Sequence, residues 1–173
     1  MIRLAKKVDL ISIMNIIEAT RPLLIKQGSK QWNTSDKYPS LETFEKDINN
    51  NILYVMEIKN KIVAVVAISD EIDNNYNNIK NGKWLTTSNK YISIHRLAVL
   101  PSLYSKGYGL ELIKFAYDLA RKKHFSSLRV DTHSVNIPMK NLLLKAGFKE
   151  CGIIILKRTK EDNIRVAYEL IIW

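Results

Sequence analysis

Two glycines, Gly107 and Gly109, stand two residues apart in LPSLYSKGYGLELIKFA (100–116), just before a helical pattern, in a chain with only six glycines. The pair is either a plain turn or a cradle for phosphate. A helix start offers free N–H groups at its positive dipole end, and glycine lets a ligand approach the backbone without a Cβ in the way. Lys106 adds a cation. Neither common phosphate motif is present, however. G-x-G-x-x-G fails at Leu112, and there is no G-x-x-x-x-G-K-[ST] string. Spacing alone therefore leaves the turn ahead of the cradle.

Other residues are able to move protons or hold a charged ligand. Imidazoles titrate at about pH 6.5, which suits His95 to proton transfer, although strand alternation also allows it to face solvent or a satisfied core site. Asp70 and Glu71 follow an apolar run and serve equally as a cation site or as the solvated start of a loop. Asp131 and His133 lie on one face of a strand, where they could pair with each other or touch a substrate. His124 closes the basic run Arg121-Lys-Lys-His124 and reads as a helix cap. No H-x-x-x-H spacing links the three histidines, so no metal site is expected. Trp32, Tyr38, Tyr76 and Trp84 fall in two polar loops, as walls for a cationic or apolar ligand or as loop anchors.

The elements that must position these residues follow from periodicity. Met1–Lys6 alternates as a short strand, and Asp9 caps a helix carrying Leu10, Ile13, Met14 and Ile17. Pro22 is expected to kink or end that helix. Residues 28–39 read as loop, and Ser40 caps a short helix to about Ile48. Two β-rich runs, 52–58 and 61–69, flank a Lys59-Asn60 hairpin, and 70–90 is a long polar loop. A strand at 91–99 stops at Pro101 and is followed by a helix from Gly107 to about Lys123. Then come a strand at 127–132, a helix at 136–146 closed by Gly147, and strands at 149–157 and 164–173. The strand–helix–strand unit 91–132 implies a parallel pair with a right-handed crossover. The fold class is α/β: a mixed, mostly antiparallel sheet with helices on both faces, in one domain over 1–173.

Composition narrows the function classes. No run reaches the ~18 apolar residues of a membrane span, and MIRLAKKVDL lacks the apolar stretch of a signal peptide. A cytoplasmic protein with no membrane partner is expected. The lone Cys151 excludes an internal disulfide and reads as a packing residue. The net charge of +10 attracts anions, but the cations are scattered. No helix–turn–helix, zinc or RNP-type pattern appears, so no nucleic-acid partner is expected.

Two motifs then combine. The strand Ile94-His-Arg-Leu-Ala-Val99 runs into the loop Tyr104-Ser-Lys-Gly-Tyr-Gly109. Downstream, Leu128-Arg-Val-Asp-Thr-His133 is followed by Asn136-Ile-Pro-Met-Lys-Asn-Leu-Leu-Leu-Lys-Ala-Gly-Phe148. With the element order, these resemble the GNAT superfamily of acyl-CoA-dependent N-acyltransferases over essentially the whole chain. The resemblance implies acetyl-CoA as acyl donor, with no metal. Its pyrophosphate and pantetheine would lie on Tyr104, Ser105, Lys106, Gly107, Tyr108, Gly109 and Leu110, with Asn136 nearby, and its thioester along Leu97, Ala98 and Val99. It also places His95 as the candidate catalytic base for a primary amine. Trp32, Asp70, Glu71, Trp84, Asp131 and His133 become candidate acceptor contacts. Two positions depart from the family pattern. Tyr104 replaces an Arg or Gln, and Leu143 replaces a Tyr proposed to protonate the departing thiolate. The implied function is acetyl transfer to a small-molecule or peptide amine by direct attack in a ternary complex. A non-catalytic acyl-CoA sensor of the same fold is the alternative, and a basic nucleic-acid-binding protein a more distant one. A monomer, or a homodimer through the final hairpin, fits either function.

Overall fold

A computed structural model describes residues 1–173. Seven strands form one sheet in the order β1 (Ile2–Leu4), β2 (Leu53–Ile58), β3 (Lys61–Ser69), β4 (Tyr91–Val99), β5 (Ser127–Thr132), β7 (Ile164–Ile171), β6 (Lys149–Ile155). Every pairing is antiparallel except β4 with β5. The hairpin residues Lys59 and Asn60 both have positive φ, 48° and 61°, as a two-residue type I′ turn requires. β7 lies inside the sheet, so the free edge of the final hairpin is β6.

Four helices cover the sheet: α1 (Leu10–Lys26), α2 (Leu41–Asn49), α3 (Tyr108–Lys122) and α4 (Ile137–Lys145). Strand alternation divides the core between two faces. Val55, Val65, Ala67 and Ala98 pack with Ile13 and Ile17 of α1 and Phe44 of α2. Ile92, Ile94 and Val130 pack with Leu112, Ile113 and Ala116 of α3 and Leu143 of α4. Pro22, expected to kink or end this helix, does not end it: α1 runs through the position. Pro22 removes one N–H, while the buried stripe Ile13, Ile16, Ile17 and Leu24 holds both sides of the position against the sheet.

The loop 70–90 covers the rest of the first face in place of a helix. It contains a 3-10 turn over Asn74–Asn78 and a single bridge from Lys80 to Ile153. Its anchor is a buried ion pair. Arg129 Nε donates to Glu169 at 2.9 Å, and the guanidinium lies between the rings of Trp84 (4.2 Å) and Tyr91 (4.1 Å). Glu169 also accepts the hydroxyls of Thr86 and Ser127, each at 2.6 Å. A buried charge needs this many partners to be tolerated.

Two irregularities of β4 make the site. β4 pairs with β5 only at Tyr91↔Ser127, Ile92↔Leu128 and Ser93↔Arg129, and beyond these the parallel strands part. On its other side, Ala67 of β3 faces His95 while Val65 faces Ala98, so β4 carries one extra residue. Arg96, with φ 54°, sits in this bulge. A bulge leaves one residue unpaired and re-aims its neighbours.

Candidate active site

The gap between β4 and β5 opens into a cavity of about 720 Å³. One end is walled by Leu97 to Val99, the loop 103–110 and α4, and the other by His95, Asp73, Asp131, Arg158 and Arg165.

The first end is built from backbone. Gly107, the N-cap of α3, has φ 87°, a left-handed conformation that disfavours side chains. A Cβ there would meet nothing within 4 Å, so the space beside it is open. The first hydrogen bond of α3 is Glu111 N–H to Gly107 O at 3.0 Å. The N–H groups of Tyr108, Gly109 and Leu110 are thus free at the positive end of a 15-residue helix. Gly109 is glycine for a different reason: a Cβ would lie 2.9 Å from Leu142 Cδ2, so its smallness lets α3 close on α4. Asn136 caps α4, its Oδ1 accepting from Met139 N–H at 3.3 Å. Tyr104 is partly exposed and lines the cavity together with Thr20 of α1. Burial raises its pKa, and Thr20 beside it opposes the rise. The α4 cation in the cavity wall is Lys145, which the spacing of the motif gave no reason to choose; Lys106 is exposed and outside the wall. Free amides, a left-handed glycine and a cation suit the pyrophosphate of an acyl-CoA.

The second end is built from side chains. Asp73 Oδ2 lies 3.3 Å from His95 Nε2. Burial works to raise the Asp73 carboxyl, but His95 and Asn75 hold it below its ordinary value. A carboxylate at Nε2 favours the tautomer with its proton there and leaves Nδ1 to accept a proton. The Tyr76 ring lies 6.0 Å from the His95 ring, and its hydroxyl donates to Asp131 Oδ1 at 2.8 Å. Burial pushes Tyr76 well above its usual pKa, so it stays a donor, and burial also raises Asp131 against the pull of His95 and Tyr76. In the bulge, Arg96 grips Asp47 of α2 with two bonds, 2.7 and 2.9 Å, and donates to Tyr38 Oη at 2.6 Å. Burial raises Asp47 and Arg96 opposes it. These contacts fix the bulge from the cavity wall, which Arg96 and Tyr38 line while Asp47 does not.

The structure redistributes the acceptor residues expected from sequence. His95, Trp32 and Asp131 line the cavity. Asp70 and Glu71 do not. β3 runs antiparallel to β4, so its end lies at the start of β4, and Asp70 pairs there with exposed Lys123 at 3.0 Å. Trp84 is outside as well, its Nε1 donating to Tyr76 O at 2.9 Å while its ring covers Arg129. Asp131 and His133 do not pair. β5 ends at Thr132, and His133 Nε2 instead contacts Asp162 Oδ1 at 2.5 Å in the β6–β7 turn. Sequence reasoning missed Asp73, Arg158 and Arg165. Asp73 sat in the loop already flagged for its Tyr and Trp content, but nothing in that loop marked which acid folds back on His95.

The seven-stranded mixed sheet with its four helices matches that of an acetyltransferase. The family model described as the acetyltransferase (GNAT) family matches residues 13–148, and the chain belongs to that family. A GNAT-family acetyltransferase of Streptococcus agalactiae 2603 is 30% identical, with TM-score 0.88 over 99% of this chain and 94% of that one. An N-acetyltransferase of Staphylococcus aureus Mu50 (21% identity, TM-score 0.67, 99% and 97% covered) shares the fold. So does the ribosomal-protein-S18-alanine N-acetyltransferase of Escherichia coli (15%, TM-score 0.67, 99% and 93%). No curated protein matches the sequence.

Proposed function

We propose that the protein transfers an acetyl group from acetyl-CoA to a primary amine by direct attack within a ternary complex. The observation that carries this reading is the continuity of one cavity from the free amides of α3, through the β4–β5 gap, to His95. Acetyl-CoA supplies the acetyl group as a thioester. The N–H groups of Tyr108 to Leu110 and Lys145 would hold its pyrophosphate. Leu97, Ala98 and Val99 of the bulged segment line the gap, and a backbone N–H donor to a carbonyl that gains charge there would lower the barrier.

The amine must lose a proton to attack. In this scheme His95 Nδ1 takes it while Asp73 holds Nε2, so the positive charge gained by the ring meets a carboxylate. The N–C bond forms as the C–S bond breaks, and CoA departs as thiolate, a fair leaving group because thiols titrate at about 8.5. No tyrosine waits for it from α4, since Leu143 is fully buried in the core. Solvent can supply that proton.

The test is CoA thiol release from acetyl-CoA across a panel of amines, together with calorimetry of CoA binding. Amine-dependent thiol release with an acetylated product is expected. Tight CoA binding without release for any amine would favour the non-catalytic sensor, and absent CoA binding would remove both readings.

A further inference from the structure

The acceptor end of the cavity is bordered by two segments tied to each other, residues 28–39 and the turn between β6 and β7. Asp162 accepts from Lys30 N–H at 2.7 Å and contacts His133. Glu161 accepts from Ser35, and Arg158 pairs with Asp36 while lying 3.9 Å from the Tyr38 ring centre. Such a bridge suits a small acceptor better than a polypeptide laid across the sheet.

Inside this border one charge is unmatched. Arg165 of β7 is 2% exposed and lines the same cavity as His95. Its Nη1 donates to two carbonyls, those of Asp162 and Ile164. Its Nε and Nη2 have no protein partner. The other arginines of the wall are answered, Arg96 by Asp47 and Arg158 by Asp36. The carboxylates nearest Arg165 are engaged elsewhere, Asp131 with Tyr76 and Asp162 with Lys30 and His133. Arg165 shares a strand face with Ala167, which pairs with Asp131, so it stands one step beyond the Asp131–Tyr76–His95 group. A buried guanidinium with open donors is costly unless a ligand meets them, and its planar fork fits a carboxylate. Asp73 and Asp131 line the same space and oppose a doubly charged phosphate.

We infer that the acceptor is a small amine that carries a carboxylate, an amino acid or a close zwitterionic relative, with Arg165 holding the carboxylate while the amine faces His95. This assignment rests on the acetyl-transfer reading above.

The experiment compares matched triplets: an amino acid, its carboxamide and its decarboxylated amine, with several side chains. The carboxamide has the least basic amine of the three, so a preference for the acid over its carboxamide cannot arise from a larger fraction of neutral amine. For the native protein, kcat/KM for the best acid should exceed both relatives by about tenfold or more, the scale of a hydrogen bond to a charged group. Arg165→Gln should remove that preference, leaving the amide and amine within about threefold, and Arg165→Lys should restore part of it. Equal use of all three probes by the native protein, acetylation of carboxylate-free amines only, or no acetylation of any acid would overturn the assignment. An equal fall for all three probes in Arg165→Gln would show a structural role and overturn it too. CoA binding and melting temperature, read in every variant, separate the cases. Lost CoA binding in the native protein overturns the acetyl-transfer reading itself, whereas intact CoA binding with no carboxylate preference overturns only the acceptor.

Discussion

The two ends of the cleft are made of different materials. The end proposed for the cofactor is backbone: a left-handed Gly107, three free amides and a helix dipole, all within a few residues of one another. The end proposed for the acceptor is side chains from remote segments: Asp73 from a loop, His95 from β4, Asp131 from β5, Arg165 from β7. A backbone site tolerates sequence change so long as its turn geometry survives. A side-chain site changes with single residues.

The difference can be broken first at the anchor of the acceptor-end loop. Glu169→Ala would leave Arg129 buried and unpaired, at a cost of about 3–5 kcal/mol, read as the midpoint shift in urea unfolding. The same pair carries a pH signature. Burial raises the Glu169 carboxyl, but Ser127, Thr86 and Arg129 bring it below its ordinary 4.5. Because the folded pKa is depressed, the unfolded chain binds the proton more readily. The stabilisation is full above about pH 4.5 and is lost as pH falls through the folded value. Glu169→Gln should therefore flatten the acid limb of the stability profile, and an unchanged limb would remove the pair as anchor.

At His95 the comparison becomes one of chemistry against binding. His95→Ala should lower kcat/KM by at least about 10²-fold, the lower range for a general base, with acetyl-CoA affinity unchanged by calorimetry. If affinity and turnover fall together, His95 serves the cofactor end and the division fails.

The contrast also explains what could be read from the sequence. Gly107 was visible because a left-handed helix start is local and glycine announces it, and the Asn136 to Phe148 segment supplied its context. The element order and the parallel pair followed from periodicity. The parting of β4 from β5 did not, since it depends on the bulge at Arg96, and that is held by Asp47 from a helix 49 positions away. Asp70 and Glu71 looked as suitable as Asp73, because only the fold of the 70–90 loop decides which carboxylate returns to His95. The two glycines looked equivalent in sequence, yet one answers to φ and the other to Leu142.

Gly107→Val tests the backbone end directly. A β-branched residue at φ 87° adds about 1–2 kcal/mol of strain, and relief requires the loop to turn its amides away. Acetyl-CoA binding should weaken by about tenfold or more, while the folded protein keeps its helix content by circular dichroism. Unchanged affinity would mean that the pyrophosphate lies elsewhere.

The smallest effect is expected at Tyr104, where the family pattern has a cationic or amide side chain. If side chains held the pyrophosphate, this substitution alone should have crippled the site. Here Tyr104 stands in the cavity wall with Thr20 of α1 and has no positive charge to offer an anion. Tyr104→Ala then removes one partly exposed ring, at about 1 kcal/mol of stability, and leaves the amides of Tyr108 to Leu110 in place. Acetyl-CoA affinity should change by less than about threefold, since 1.4 kcal/mol corresponds to about tenfold and only part of the loss reaches the amides. Tyr104→Arg should tighten binding at low salt and lose that gain as salt rises, because an exposed cation is screened. A Tyr104→Ala protein that no longer binds acetyl-CoA would show that the backbone does not hold this end unaided.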